Sequence, residues 1–258
     1  MNQFQLPAHR DLYYGGGWRQ AAGGTAATVS PSTGQALGTF AVADAEDVHR
    51  AVAAAGAGFA EWRRVVRSGT RRRQQASAAV YARTRLFRIY EPAVVPGLLQ
   101  TREYAVAVLS SFIDFVRVPD DAEEGAAARL ERQRVLTHGD RRFHMVLAQQ
   151  ALHTNVGGTE VMAGQLEHLL TVLRLPRLRL GIIPFDAPYR VPLNNGFWIL
   201  DEALVQFDTY SAELSLVRPD EIALYGRAFE RLAALAVYGA EAKAILARTL
   251  DRLTAKSS

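Results

Sequence analysis

The sequence predicts an α+β fold, in which a mostly helical domain with a small antiparallel sheet follows a short β-ribbon and one helix. Three observations lead to this prediction. Apolar residues recur at helical spacing in several long segments, and short apolar runs separated by turn residues follow one another after position 185. Glycine-rich turns dominate the first 40 positions. A chain of 258 residues is long enough for one or two domains with a substantial core.

The N-terminal part reads as a ribbon followed by a helix. Apolar runs at 12–14, 27–29 and 36–40 are separated by glycine and proline turns, which is typical of antiparallel strands. The glycines at 15–17 precede strand-like residues, whereas a dinucleotide-binding motif places them before a helix, so we interpret them as a turn. Asp44 is placed to cap a helix that extends to Trp62.

A basic segment comes next. Residues 62–90 hold nine arginines and no acidic residue, although the net charge of the whole chain is only +4. Good helix formers predict a helix from Arg71 to about Arg88. Its Arg71, Arg72 and Arg73 either contact the phosphates of a nucleic acid or form a solvated helix face, and both interpretations stay open.

The stretch from Tyr90 to Ala105 is predicted to be a buried joint. Pro92 and Pro96 disfavour helix at the residues before them, so an extended entry should lead into a helix with one apolar stripe. The remaining elements follow from local patterns: helices that begin near 120, 159, 219 and 239, with Thr159 as a cap and Gly239 as a stop, and strands near 143–147, 178–182, 197–200, 204–207 and 213–216.

The residues that several kinds of catalytic and metal sites require are absent from the sequence. The chain has no cysteine, which excludes disulfides, thiolate nucleophiles and cysteine-ligated metals. The histidines show no metal-ligand pair on one helix, and we expect His144 and His153 to be ordinary structural or exposed side chains. We therefore predict no catalytic residues, no metal and no cofactor.

The loop between Phe185 and Phe197 is the candidate for a small-molecule site. Aromatic surface with a few polar groups is typical of ligand pockets. The candidate residues are Tyr189, Arg190, Asn194, Asn195 and Trp198. The alternative is a surface loop that covers the edge of the sheet.

Residues 12–62 resemble the N-terminus of aldehyde dehydrogenases. The similarity lies in Leu12–Trp18, Ser30–Gln35, Asp44–Ala55 and Phe59–Trp62. The resemblance implies common ancestry, but the cysteine nucleophile that this family requires is absent from the chain. Aldehyde dehydrogenase activity of that cysteine-dependent kind is therefore excluded.

Residues 66–254 resemble the C-terminal domain, of unknown biochemical function, that follows an XRE-type helix-turn-helix in actinobacterial, antitoxin-like transcriptional regulators. The matching motifs are Glu91–Thr101 with Glu103–Ala105, Arg129–Leu136, Val156–Gly158 with Val161–Leu166, and Leu180–Pro184. In those regulators the helix-turn-helix reads DNA, but residues 1–62 offer one helix where two are needed. The DNA-reading module is therefore expected to be missing.

These observations predict three segments: an aldehyde dehydrogenase-like fragment (1–62), a basic helical linker (63–89) and a regulator C-terminal domain for sensing or interaction (90–258). Such a gene fusion would make a non-enzymatic, cytoplasmic regulatory protein that binds a small partner protein or a small ligand, with weak DNA binding and no membrane contact. The alternatives are an enzyme of secondary metabolism that uses a pocket in the C-terminal domain, and an inactive aldehyde dehydrogenase fusion.

Overall fold

The structure is a computed structural model that describes residues 10–66, 70–71, 77–192, 195–210 and 213–255. For residues 60–66 it describes the backbone alone. The chain divides into two compact units, Met1–Val66 and Arg67–Ser258. In the described part of the chain, no helix is long and apolar enough to cross a membrane.

The first unit consists of two antiparallel strand pairs and a helix. Its elements are β1 (Leu12–Tyr14), β2 (Gly17–Arg19), β3 (Thr25–Val29), β4 (Ala36–Ala41) and α1 (Ala45–Val66). Gly15 and Gly16 join β1 to β2 with φ angles of 61° and 77°, which confirms a glycine turn between antiparallel strands. The Asp44 carboxylate accepts the Asp47 N–H at 2.8 Å, so the predicted helix start is also confirmed.

The second unit has alternating helices and strands. Its elements are α2 (Ala78–Arg83), β5 (Leu86–Glu91), α3 (Arg102–Val116), α4 (Ala122–Arg132), β6 (Arg142–Ala148), α5 (Thr159–Val172), β7 (Leu178–Ile183), β8 (Phe197–Leu200), β9 (Leu204–Asp208), β10 (Glu213–Leu216), α6 (Pro219–Leu235) and α7 (Gly239–Thr254). Short 3-10 turns lie at Gly97–Leu99, Gln133–Leu136 and Gln149–Leu152.

The described strands of this unit form one six-stranded sheet with the order β10-β9-β8-β5-β6-β7. β5, β6 and β7 are parallel, whereas β8, β9 and β10 form an antiparallel meander next to β5. The α+β class is confirmed, and so are the strands predicted near 197–200, 204–207 and 213–216. The sheet is mixed rather than purely antiparallel, because the crossovers through α3–α4 and α5 return the chain in the same direction.

Two cores cover the two faces of the sheet. Alternate strand residues such as Phe87, Ile89 and Met145 pack with α2, α3, α5 and α7 on one face. Tyr90, Val146 and Ile199 point the other way and pack with α6. These two faces are called the α3 face and the α6 face below.

The predicted helix from Arg71 to Arg88 is wrong in its second half. The helix α2 ends at Arg83, and residues 86–91 form the strand β5 between β6 and β8. Leu86 and Ile89 therefore do not share a helical face with Ala78 and Ala82. Tertiary pairing overrides helix propensity here, because the strand gains a neighbour on each side.

The joint between Tyr90 and Ala105 agrees with the prediction. An extended segment follows β5, and α3 begins at Arg102 with the Thr101 hydroxyl accepting the Tyr104 N–H. Leu98, Leu99, Tyr104 and Ala105 are buried.

Two predicted helix boundaries are wrong. Gly158, with a φ of 90°, precedes α5 in the capping position, and Thr159 is the first helical residue. The helix α6 ends at Leu235, and Gly239 begins α7 instead of stopping α6.

Candidate functional site

A cavity of about 310 Å³ lies on the α3 face, over the part of the sheet formed by β5, β8, β9 and β10. The turn after β5 (94–97 and Gln100), α3 (Val108, Leu109, Phe112) and α4 (Arg129, Arg132) form its other walls. All of its lining residues belong to the second unit. We call it the sheet pocket.

Strand register brings the polar side chains of the sheet pocket together. Trp198 pairs with Gln206, and Asp208 pairs with Glu213 on the next strand. Ile89 pairs with Trp198, and Glu91 lies two residues after Ile89 on the same face. Because side chains alternate along a strand, the three carboxylates and Trp198 all point toward α3 and α4.

The environment of Glu91 strongly perturbs its carboxyl group. The Trp198 indole N–H donates to its Oε1 at 2.8 Å. Desolvation raises the pKa of Glu91 to about 7; the hydrogen bond from Trp198 opposes this rise, the charge of Asp208 adds to it, and Arg129 opposes it. A Cβ at Gly196, the residue before β8, would overlap Glu91 Oε2 and lie 2.9 Å from the Tyr90 carbonyl oxygen, so the close approach to the β5 backbone favours glycine.

Two arginines of α4 lie across from these acids. The Arg129 guanidinium donates to Gln100 Oε1, and the Gln100 amide donates to the Val95 carbonyl at 2.7 Å. The Arg132 Cζ lies 5.1 Å from the centroid of the Tyr81 ring, and burial lowers the pKa of Arg132. The Tyr81 ring in turn stacks on Trp198 at 5.6 Å between centroids. The cations are therefore held by α4 and the aromatic pair.

The sheet pocket can bind a polar molecule and exchange a proton with it near neutral pH. It offers carboxylate acceptors on the strands, guanidinium donors on α4, and an apolar wall from Val108, Leu109 and Phe112. In the described residues, no group of three or more acids or histidines could hold a metal ion.

Four of the five predicted ligand-binding residues are described, and the structure does not bring these four together. Trp198 lines the sheet pocket, but Tyr189 packs on the α6 face with the core that contains Tyr90. Arg190 and Asn195 are exposed, and the Asn195 amide donates to the Asp208 carbonyl at 3.4 Å. Asn194 lies outside the described residues. Tyr189, Arg190, Asn195 and Trp198 therefore do not line one common cavity.

The predicted nucleic-acid residues are described only in part. Arg71 is exposed, and its backbone N–H donates to Asp121 Oδ2 at 2.9 Å. Arg72 and Arg73 lie outside the described residues. DNA contact by the three arginines stays a prediction.

His144 is a structural side chain. Its Nε2 lies 2.9 Å from the Tyr238 hydroxyl on the α6 face. Burial lowers the pKa of His144 to about 4, and Arg179 and Arg88 lower it further in the same direction. His153 follows the 3-10 turn and lies 5.1 Å from the Phe185 ring. Neither histidine lines the sheet pocket.

Sequence reasoning missed most of the sheet pocket. Five charged residues that line the cavity were not candidates: Glu91, Asp208, Glu213, Arg129 and Arg132. The Glu213 carboxylate accepts from the Gln206 amide at 3.1 Å. The alternation of Phe87, Ile89 and Glu91 would have placed this acid on a core face if the segment had been interpreted as a strand.

Two family models match the chain. The aldehyde dehydrogenase family model matches residues 18–89, and among curated proteins the aldehyde dehydrogenase tropH of Talaromyces stipitatus is 40% identical over 75 residues. That match covers 28% of this chain and only 15% of the relative. The other model describes a domain of unknown function, DUF5753, and matches residues 74–248, which include every strand of the mixed sheet. The chain therefore belongs to the DUF5753 family, and its N-terminal part carries a partial aldehyde dehydrogenase-like segment that overlaps this match at 74–89.

Proposed function

We propose that this chain is a non-enzymatic regulatory protein whose second unit senses a small ligand in the sheet pocket. The proposal starts from the resemblance of residues 66–254 to antitoxin-like XRE-type regulators and adds a site where a ligand could act. It also includes a cytoplasmic location and a small protein partner. The observation that carries the proposal is the cluster of Glu91, Asp208 and Glu213 around a cavity with an apolar wall.

The ligand that fits best is a small amine with an apolar body. A protonated amine would stabilise the ionised form of Glu91, which desolvation by burial disfavours. The neighbouring Asp208 adds negative potential, since its charge raises the pKa of Glu91. The side chains of Val108 and Phe112 would contact the apolar body.

The affinity for such an amine should depend on pH. The probe is 2-phenylethylamine, which stays protonated from pH 6 to pH 8. We expect it to bind about tenfold more weakly at pH 6 than at pH 8, because Glu91, with a pKa of about 7, is mostly neutral at pH 6. Glu91→Gln should remove this pH dependence and weaken binding at pH 8 by about tenfold. Isothermal titration calorimetry at both pH values measures these effects.

Glu103→Gln is the matched control, because Glu103 is exposed on α3 and does not line the pocket. It should leave both affinities unchanged. Equal affinity at pH 6 and pH 8, or equal affinity of wild type and Glu91→Gln, would contradict the proposed amine site. Tighter binding of 3-phenylpropanoate than of the amine would contradict the sign of the ligand charge.

An enzyme that uses the same pocket is the second candidate. A carboxyl group with a pKa of about 7 in a cavity is suited to general acid or base catalysis. We expect no conversion above background when a panel of amines and aldehydes, with and without nicotinamide cofactors, is followed by NMR. Conversion that Glu91→Gln abolishes would favour the enzyme over the sensor.

The basic segment predicts weak, electrostatic DNA binding without sequence selectivity. Replacing Arg71, Arg72 and Arg73 by alanine should flatten the dependence of log K on log salt by about three units or less, since each phosphate contact releases counterions. Fluorescence anisotropy with duplex DNA at two or more salt concentrations measures this slope. An unchanged slope would exclude these arginines, and tight sequence-selective binding at high salt would contradict the loss of the DNA-reading module.

A further inference from the structure

A second cavity lies at the opposite edge of the sheet, beside β7. It has a volume of about 400 Å³ and is bounded by the end of α5, by β7 and by the start of α7. None of its lining residues belongs to the sheet pocket. We call it the edge pocket.

Three cationic side chains line the edge pocket: Arg174, Arg179 and Lys243. No acidic residue is among its described lining residues. Within the described part of the chain none of the three cations forms a salt bridge, although arginines elsewhere pair with Asp47, Glu123, Glu131 and Asp220. All three residues are exposed, so solvent screens their mutual repulsion, but each can donate a charge-assisted hydrogen bond to an anion in the cavity.

Arg179 is held in place by an aromatic ring. Its Cζ lies 4.3 Å from the centroid of the Tyr238 ring, at cation–π distance. The Tyr238 hydroxyl donates to the Ala233 carbonyl at 3.0 Å and lies 2.9 Å from His144 Nε2, which donates to it in turn. The Tyr238 ring, on which the Arg179 guanidinium packs, is therefore held by hydrogen bonds to two partners, the Ala233 carbonyl and His144. This pre-organisation lowers the entropy cost of binding an anion.

The rest of the lining is apolar. Leu170 and Leu173, in and just after the last turn of α5, are half-buried, and Leu178 and Leu180 of β7 are buried. A free inorganic anion would leave this surface in contact with water, whereas a ligand with an apolar chain would cover it. The volume falls within the range of about 300–1,000 Å³ that is usual for small-molecule pockets.

We propose that the edge pocket binds an amphipathic monoanion, a carboxylate with a medium-length apolar chain, between Arg174, Arg179 and Lys243. The head group contacts the three cations, and the chain lies against the leucines. This site is independent of the amine proposed for the sheet pocket, so either proposal can fail while the other stands.

Three compounds separate the contribution of the head group from that of the apolar chain. Acetate shares the carboxylate of octanoate but lacks its chain, and octanol shares the chain but lacks the charge. Isothermal titration calorimetry with the full-length protein measures their affinities. We expect saturable binding of octanoate, with acetate and octanol each at least about tenfold weaker, because one lacks the apolar contact and the other lacks the charge-assisted hydrogen bonds. Acetate as tight as octanoate, or no octanoate binding, would overturn the proposal.

Charge-removing variants locate the site. Arg179→Gln combined with Lys243→Gln should weaken octanoate binding by about tenfold or more. Arg248→Gln, an exposed arginine of α7 outside the pocket, is the matched control and should bind normally. Equal octanoate affinity of the double variant and wild type would overturn the assignment. The comparison of the three ligands on wild type stays decisive if the double variant is unstable.

A lipid surface also presents anionic head groups with apolar chains. Binding to lipid vesicles distinguishes such a surface from a soluble carboxylate. Sedimentation with phosphatidylglycerol vesicles should show no binding that depends on Arg179 and Lys243. Vesicle binding that these residues support, in a protein that does not bind octanoate, would overturn the proposal of a soluble ligand.

Discussion

Val95→Asp is expected to abolish soluble, folded protein. Val95 lies in the joint between β5 and α3 and is 1% exposed, within the core of the α3 face. Its N–H donates to the Tyr104 hydroxyl at 3.3 Å, and its carbonyl accepts from the Gln100 amide at 2.7 Å. Val95 also lines the sheet pocket, but both of its backbone groups are hydrogen-bonded, so the segment is fixed and the new carboxylate would lie among the apolar side chains of this core.

The cost of this substitution is that of an unpaired buried charge. We expect a loss of more than about 3 kcal/mol in the free energy of unfolding, a large part of the stability of a typical domain. Soluble yield and thermal melting followed by circular dichroism measure it. Ala93→Asp is the matched control, because Ala93 is exposed two residues earlier and should tolerate the charge. A normal melting temperature for Val95→Asp would mean that the joint is not buried.

Gln165→Leu is expected to destabilise the second unit almost as much. Gln165 is fully buried in α5, and its side chain links this helix to the joint. Its Oε1 accepts the Thr101 N–H at 2.8 Å, and its Nε2 donates to the Leu99 carbonyl at 2.7 Å. Leucine has a similar volume but can satisfy neither backbone group.

We expect a loss of roughly 2–4 kcal/mol in the free energy of unfolding, since each unsatisfied buried group costs about 1–3 kcal/mol. Urea unfolding measures this loss. Glu167→Leu introduces the same side chain at an exposed position of the same helix and should cost little. Equal stability of the two variants would show that the link between α5 and the joint contributes nothing.

Glu91 should also affect stability as the pH changes. Its pKa is raised in the folded protein, so the folded state binds more protons and this contribution to stability falls as the pH rises from about 4.5 to about 7. His144, with its lowered pKa, contributes the opposite slope over about pH 4 to 6.5. The difference between wild type and Glu91→Gln therefore isolates the carboxyl group.

Local sequence patterns predicted the elements whose partners lie nearby. The helix predicted to begin near 159 buries Met162, Leu166 and Leu169, since helical spacing alone places these residues on one side. The three strands between Phe197 and Leu216 were predicted because turn residues separate their short apolar runs. The proline-bounded joint was predicted because proline restricts the residue before it.

The sequence by itself thus determined the class of the fold, the joint and the absence of thiol chemistry. Only the tertiary structure decided that Leu86–Glu91 is an inner strand. Its partners β6 and β8 lie far along the chain, and local helix or strand propensity does not depend on them. The same pairing creates the sheet pocket, since it places Glu91 beside Trp198 while Tyr189 packs on the other face. Functional groups that meet only through long-range strand pairing leave no local pattern to find.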